Sequence, residues 1–460
     1  MLVTQRIGSL LPVLLGGYAL WGCSPHLSLG PPPTYTVGGT VSGLTGSGLT
    51  LSRNGATIGR GVSGIYPDLG LGAFSPGQSY DVTVIVQPTS PSQTCVVSNG
   101  KGTVGNANVT NVLVNCTTNL SRFVYVANDA SNSISIYTID ATTGALTAVA
   151  NLSVSAGSPH FLAVNPQGRY LYMTNGGSNS VSVYAIDAGT GALTAVSGSP
   201  FPTGNNPSSA AIHPGGTLIY VTNQSDATIS AYSQDPASGA LAAVAGSPFA
   251  TGSNPVSVAA PDLTNPVVDG SVYASSGSNS VWAYAINWNG TALTGALAVT
   301  AGSPFPAGKG PGSLVVDVAG DFLYAANQGD GTVSAYSIDH QSGALTPIAG
   351  SPFAAGGTPA SATIDPSCRF LFVTNKADGT ISAYQINAGA LRAVAGSPFA
   401  AGTGPSAAVV DNLDRFLLVA NSGSNSISVY AIDPNSGALT PISGSPFASG
   451  SGSASIAVSD

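Results

Sequence analysis

Leu218-Ile-Tyr-Val-Thr-Asn223, Thr228-Ile-Ser-Ala-Tyr232, Gly239-Ala-Leu241 and Ser247-Pro-Phe249 follow one another in a single stretch of the chain. The first is a short apolar run ending in Thr-Asn, and after a Gln-Ser-Asp turn the second alternates polar and apolar residues, the pattern of two paired strands. Their signature returns as Tyr125-Val-Ala-Asn128, Tyr172-Met-Thr-Asn175, Tyr324-Ala-Ala-Asn327, Phe372-Val-Thr-Asn375 and Leu418-Val-Ala-Asn421, with an altered copy, Tyr273-Ala-Ser-Ser276. Spacings between copies run from 46 to 53 residues. Each repeat predicts four strands: A (Ser208 to Ile212), B (Leu218 to Thr222), C (Thr228 to Tyr232) and D (Leu241 to Ala245). A period of that length carrying four short strands is a propeller blade. The first repeat begins at Arg122 with strand B, and the chain's last run, Ser453-Ala-Ser-Ile-Ala-Val458, matches strand A. The last strand is therefore expected to complete the first blade, giving seven blades and covering two edges that would otherwise invite pairing with other chains.

Composition agrees with an all-β chain. Of 460 residues, 59 are Gly and 32 Pro, and all 19 acidic residues are Asp, a residue of turns and caps rather than of helix interiors. Eleven basic residues and a formal charge of −8 make nucleic acid an unsuitable partner. After the N-terminus no stretch approaches the roughly 20 apolar residues that span a bilayer.

Residues 1–22 resemble a lipoprotein signal peptide: Arg6, then the apolar run Ile7 to Leu20, then Leu20-Trp-Gly-Cys23 as the lipidation site. An ordinary signal peptide or a short anchor are the alternatives. A lipid on Cys23 would tether an exported protein to a membrane surface, with the Pro-rich stretch 23–36 as spacer. Residues 37–118 are expected to form a small Ig-like β-sandwich, with Cys95 and Cys116 paired across it in an oxidising compartment. Residues 119–460 form the propeller. Cys368 is left over, without Cys or His at metal-ligand spacing.

Tyr220-Val-Thr-Asn223, Ser178-Asn-Ser-Val-Ser-Val-Tyr184 and Pro166-Gln-Gly-Arg-Tyr-Leu-Tyr172 resemble the YVTN/lactonase-type seven-bladed propellers, over about three-quarters of the chain. The resemblance implies lactone chemistry of the 6-phosphogluconolactonase kind, at one mouth of the central channel, using His, Arg and Glu. The family's Glu, after the strand-B Asn, is replaced here by Asp129, Gly176, Gln224, Gly277, Gln328, Lys376 and Ser422. Loops D–A and B–C share the upper face, so His160 is the one histidine expected there, just before strand A and in the Phe place of Ser-Pro-Phe. With it lie Asp129, Asp226, Asp330, Asp378, Lys309 and Lys376, whereas Arg122, Arg169, Arg369 and Arg415 fall on the lower rim. Catalytic candidates are His160 as base, with Lys309, Lys376 and Asp330. Asp330-Gly331 and Asp378-Gly379 read as turn formers rather than calcium ligands. No phosphate loop, zinc signature or nucleophile elbow is present, and no cofactor is expected.

Two functions follow. One is a non-catalytic lipoprotein, a monomeric disc presenting polar loops to a glycan, polymer or protein. The other is a lactone-hydrolysing or lactonising enzyme at the upper mouth.

Overall fold

The computed structural model describes residues 33–44, 49–54, 56–60, 64–66, 73–88, 93–118, 123–154, 157–261, 270–288 and 293–459. The signal segment, Cys23, Arg122 and most of the long A–B connection of the fourth repeat lie outside them.

Seven sheets carry the repeat. Blades II to VII each run A-B-C-D in sheet order, as in blade II with A (Pro159–Val164), B (Tyr170–Asn175), C (Ser180–Ile186) and D (Leu193–Ala195). Blade I is B (Phe123–Asn128), C (Ser133–Ile139) and D (Leu146–Ser153), completed by Ser453–Ser459, which pairs antiparallel with Phe123–Asn128. The ring closes on its last strand as the repeat order requires. In blade III, strand C extends to Gln234 and strand D stops at Ala243, shorter than expected, and the chain then turns back through a cis Ser247-Pro248 peptide. Phe249–Ala250 then pairs with strand C again. Blades II to VII share this return; blade I, whose strand D is continuous, lacks it.

Packing is between blades rather than within them. Strand B is buried along its length in nearly every blade, and each core joins two neighbours: Phe123 and Tyr125 of blade I pack with Leu171, Met173 and Tyr184 of blade II. Hydroxyls stitch the same seams. Tyr232, Tyr284, Tyr336, Tyr384, Tyr430 and Tyr137 of strand C each donate to a carbonyl in the returning strand of the preceding blade. Tyr125, Tyr273 and Tyr324 of strand B each donate to the C–D turn of the following blade, and Tyr220 to Gly295 O on the strand D of the following blade. Strands A line the centre, where Ser455, Ser209, Ser257, Ser313 and Ser361 accept an N–H from strand A of the next blade.

The strand-B Asn does not mainly bind loop backbone. Its Nδ2 donates to two hydroxyls of strand C, as Asn175 does to Ser180 and Ser182, while Oδ1 caps a loop N–H in blades III and VI.

Residues 37–118 build two four-stranded sheets around one core that includes Val37, Val41, Leu51, Phe74, Tyr80, Val82 and Val114. The Cys95–Cys116 disulfide is present, but it does not cross between sheets. The two residues sit directly opposite on neighbouring strands Gln93–Ser98 and Val109–Thr118, so the bond staples one sheet.

Candidate functional site

Every strand A starts at the upper face. The residue before its Pro position takes a left-handed φ: Ser158 (50°), Asn206 (54°), Asn254 (51°, ahead of the short strand Val258–Ala259) and Thr358 (53°), with Gly in the other blades. Pro follows in blades II to VII and pairs with the strand-B Asn in all but blade IV, and the next residue is skipped by the A–B ladder, as between Pro159 and Phe161 or Pro311 and Ser313. Such a bulge re-aims one side chain and is a frequent neighbour of binding sites. The bulge position holds His160, Ser208, Gly312, Ala360, Ser406 and Ala454, with Val256 at the equivalent place in blade IV.

The residue after the strand-B Asn lies over this bulge. In blades II and V a large side chain at one position leaves no room for a Cβ at the other. A Cβ on Gly176 would meet His160 Cε1 at 2.7 Å, and a Cβ on Gly312 would meet Gln328 Nε2 at 2.2 Å. In blade II the bulge therefore carries the large side chain over a glycine, and in blade V the roles reverse. Around the mouth this leaves Asp129 in blade I, His160 in II, Gln224 in III, Gln328 in V, Lys376 in VI and Ser422 in VII.

His160 is consequently not just before strand A, nor in the Phe place of Ser-Pro-Phe. It is the second residue of Pro159–Val164, aligned with Ser208, because blade I has no returning strand and its Ser-Pro belongs to the next blade's start. Its Nε2 lies 3.9 Å from Asp129 Oδ2, with side-chain exposures of 34% and 41%. That separation suits an ion pair or a water held between them. Adjacent blades thus bring an imidazole and a carboxylate together on the solvent-reached upper face.

The other candidates do not join this pair. Lys309, leading strand A of blade V, has Nζ 3.7 Å from Asp330 Oδ1, and its own N–H donates to Asp330 Oδ2 at 2.6 Å. Asp330 is thereby a loop pin, as are Asp226, accepting from Asn205, and Asp378, accepting from Gly357. The N–H groups of Asn205 hold the exposed Asp226 carboxyl below the ordinary carboxylate range. In the Asp330-Gly331 and Asp378-Gly379 turns the left-handed φ falls on Gly331 (63°) and Gly379 (64°). Lys376 is exposed on blade VI.

The described propeller arginines are elsewhere. Arg169, Arg369 and Arg415 stack over Tyr170, Phe370 and Phe416 at lower A–B turns, and Arg392 is on an outer strand D. His213 and His340 are also on the lower face; His340 Nε2 lies 2.8 Å from Asp321. Among the described residues no group of three His, Cys or Asp is placed to hold a metal.

With this geometry in hand, the family model described as Lactonase, 7-bladed beta-propeller matches residues 114–202, 267–359 and 350–454. The chain belongs to that lactonase propeller family. No curated protein matches it closely. Solved structures show the same fold at low identity. A provisionally assigned 6-phosphogluconolactonase from Bacteroides fragilis is 20% identical, with a TM-score of 0.63 over 75% of this chain and 99% of that one. The periplasmic gluconolactonase PpgL of Pseudomonas aeruginosa is 19% identical, with a TM-score of 0.63 over 74% of this chain and 99% of that one.

Asp129 was legible as an upper-face charge, but not as His160's partner, since that contact spans two blades. The column of residues after the strand-B Asn is the signal that exposes it.

Proposed function

We propose that this lactonase propeller hydrolyses lactones at its upper mouth, with His160 as general base and Asp129 as its carboxylate partner. The observation that carries the reading is the His160–Asp129 approach at the only bulge occupied by an ionisable side chain. His160 Nε2 removes a proton from water as its oxygen attacks the lactone carbonyl. The ring C–O bond then breaks, and the imidazolium returns the proton to the leaving alkoxide, giving the open hydroxy acid. Asp129 stabilises the imidazolium between these steps.

Charge defines the substrate class. Phosphate recognition favours forked arginine donors, and the described propeller arginines stand at the lower rim or on an outer strand. Lys309 is engaged by Asp330, and Asp129 lies beside the base. The mouth suits an uncharged lactone with hydroxyls for Gln224 and Gln328, rather than a phosphorylated one. We place the enzyme outside the cytoplasm, tethered through Cys23, as a monomer.

The test is turnover of D-glucono-δ-lactone, its 6-phosphate and simple γ-lactones by purified mature protein. His160→Ala is expected to lower kcat/KM by about 10²–10⁴-fold, and the phosphorylated substrate to be the poorer one. Absence of turnover on all of them would reject the enzyme and leave the second reading, a disc binding a glycan, polymer or protein. That reading has one observation of its own: Asp226, Asp330 and Asp378 are spent on holding loops rather than on chemistry.

A further inference from the structure

Trp282 breaks the repeat at one seam. Its place on strand C, two residues before the seam tyrosine, holds Ser135, Ser182, Ser230, Ser334, Ser382 and Ser428 in the other blades. There the strand-B Asn donates to the serine, as Asn223 Nδ2 does to Ser230 Oγ at 2.9 Å. Blade IV has exchanged both members, with Ser276 for the Asn and Trp282 for the serine.

The indole lies in the seam between blades III and IV. It stacks on Tyr284, with ring centroids 6.3 Å apart and planes 21° from parallel, and shares the seam core with Phe249 of the returning strand. Gly252 is buried against it, and a Cβ there would come within 2.4 Å of Trp282 Nε1. That nitrogen is buried and has no acceptor among the described residues. Packing rather than hydrogen bonding holds the ring in place.

The seam between blades II and III is built from the same walls. Phe201 stands for Phe249, Gly204 for Gly252 and Tyr232 for Tyr284, and Tyr232 donates to Pro202 O as Tyr284 does to Ala250 O. With Ser230 at the tryptophan's place, a cavity of about 460 Å³ opens between residues 201–204 and strands C and D of blade III. That volume falls among small-molecule sites, on the order of 300–1,000 Å³. Gly204 is half-buried on its wall, where Gly252 is buried. The lining holds no Asp, Lys, Arg or His, and the Asp226 carboxylate accepts the N–H of Asn205, next to Gly204. An anion is repelled from that end. Thr203 Oγ1 gives its proton to Gly204 O at 2.9 Å, which leaves its lone pairs open to a donor.

We propose that this cavity is a binding site for a free, uncharged, planar aromatic molecule the size of indole. The ring takes the place that Trp282 fills one seam on, and its N–H meets the Thr203 hydroxyl at the Gly204 end. Blade IV thus carries a covalent copy of the ligand that blade III takes from solution. The site is at an outer seam, away from the His160 mouth, and its test needs no turnover.

Indole is the probe, titrated by calorimetry into the mature protein. The wild type is expected to bind it saturably, and to bind cyclohexanol and indole-3-acetate more weakly. The paired substitution Asn223→Ser and Ser230→Trp copies blade IV, and is expected to abolish indole binding by filling the cavity with the protein's own ring. Ala243→Phe is the second variant. It leaves the Asn223–Ser230 bond intact and closes the cavity from the exposed side of strand D, with the same loss expected. It decides the outcome where the paired variant fails to fold. His160→Ala is expected to bind indole as the wild type does. No saturable binding, binding that survives Ala243→Phe, or binding lost in His160→Ala overturns the proposal. Cyclohexanol or indole-3-acetate bound as tightly as indole overturns the assignment to an uncharged aromatic.

Discussion

Single positions in this ring are read most clearly by comparing the seven copies of the same place. The residue that follows strand A is Asn165 in blade II, and Asp317, Asp365 and Asp411 in blades V, VI and VII. All four accept N–H groups that open strand B, as Asp365 Oδ1 does from Arg369 and Phe370. Burial pushes the Asp365 carboxyl up to about 6, against the opposing pull of those N–H bonds. The folded protein therefore holds a proton there at pH values where the unfolded chain, near 3.8, has lost it. A raised carboxyl favours the fold below pH 4, and that contribution is lost as pH rises through 6. Asn165 shows that an amide satisfies the same donors, with Arg169 N–H and Tyr170 N–H each at 2.8 Å. Asp365→Asn should accordingly raise stability at pH 8 by about 1–2 kcal/mol, given 1.36 kcal/mol per pKa unit and the loss of the Arg369 contact at 3.6 Å. At pH 4 the two proteins should melt together. Thermal unfolding at both pH values decides it, and a stability difference that ignores pH would refute the assignment.

At the scale of elements, the returning strand after each cis Ser-Pro sets the outer seam between blades. Tyr336 donates to Pro306 at 2.6 Å across that seam. Tyr184, the equivalent residue of blade II, faces blade I, which has no returning strand. Tyr336→Phe should cost about 1 kcal/mol, the usual net value of one such hydrogen bond, and Tyr184→Phe distinctly less. Equal losses in urea unfolding would mean that the hydroxyl adds nothing at the seam. The same missing element explains where sequence reading failed. Strands B and C were legible because an apolar run closing on Asn or Ser, followed by an alternating run, survives in all seven copies, and the closing strand because its pattern has no strand B after it. Ser158-Pro-His160 was misaligned because a Ser-Pro pair occurs both in the return and, once, at a strand-A start. Only the pairing of Pro159 with Asn175 separates the two. The bulge that aims His160 is likewise invisible in sequence, since it arises from ladder register and not from any residue type at that position.

For the molecule as a whole, closure and site are one construction. The segment that seals the ring is tied to both members of the proposed pair, His160 and Asp129. Asp129 N–H donates to Gly452 O at 3.0 Å, and Ser131 N–H to Ser451 O at 3.3 Å, fixing the turn that presents the carboxylate. On the other side, Ser455 Oγ accepts Leu162 N–H at 3.0 Å, two residues beyond His160 on the same strand. Strand pairing of Ser453–Ser459 with Phe123–Asn128 joins these anchors into one rigid piece. Ser313 makes the same inner-ring bond to Ala362 N–H at 3.1 Å, but between blades V and VI, away from His160 and Asp129. The two serines therefore separate stability from function. Ser455→Ala and Ser313→Ala each leave an inner-strand N–H without its acceptor and should each cost about 1–3 kcal/mol. Ser455→Ala alone should also lower kcat/KM, because it loosens strand A where it carries the base. A comparable loss of turnover in Ser313→Ala, measured well below both melting temperatures, would show that the ring acts on the site only through global stability and that the closing strand has no special part in holding it.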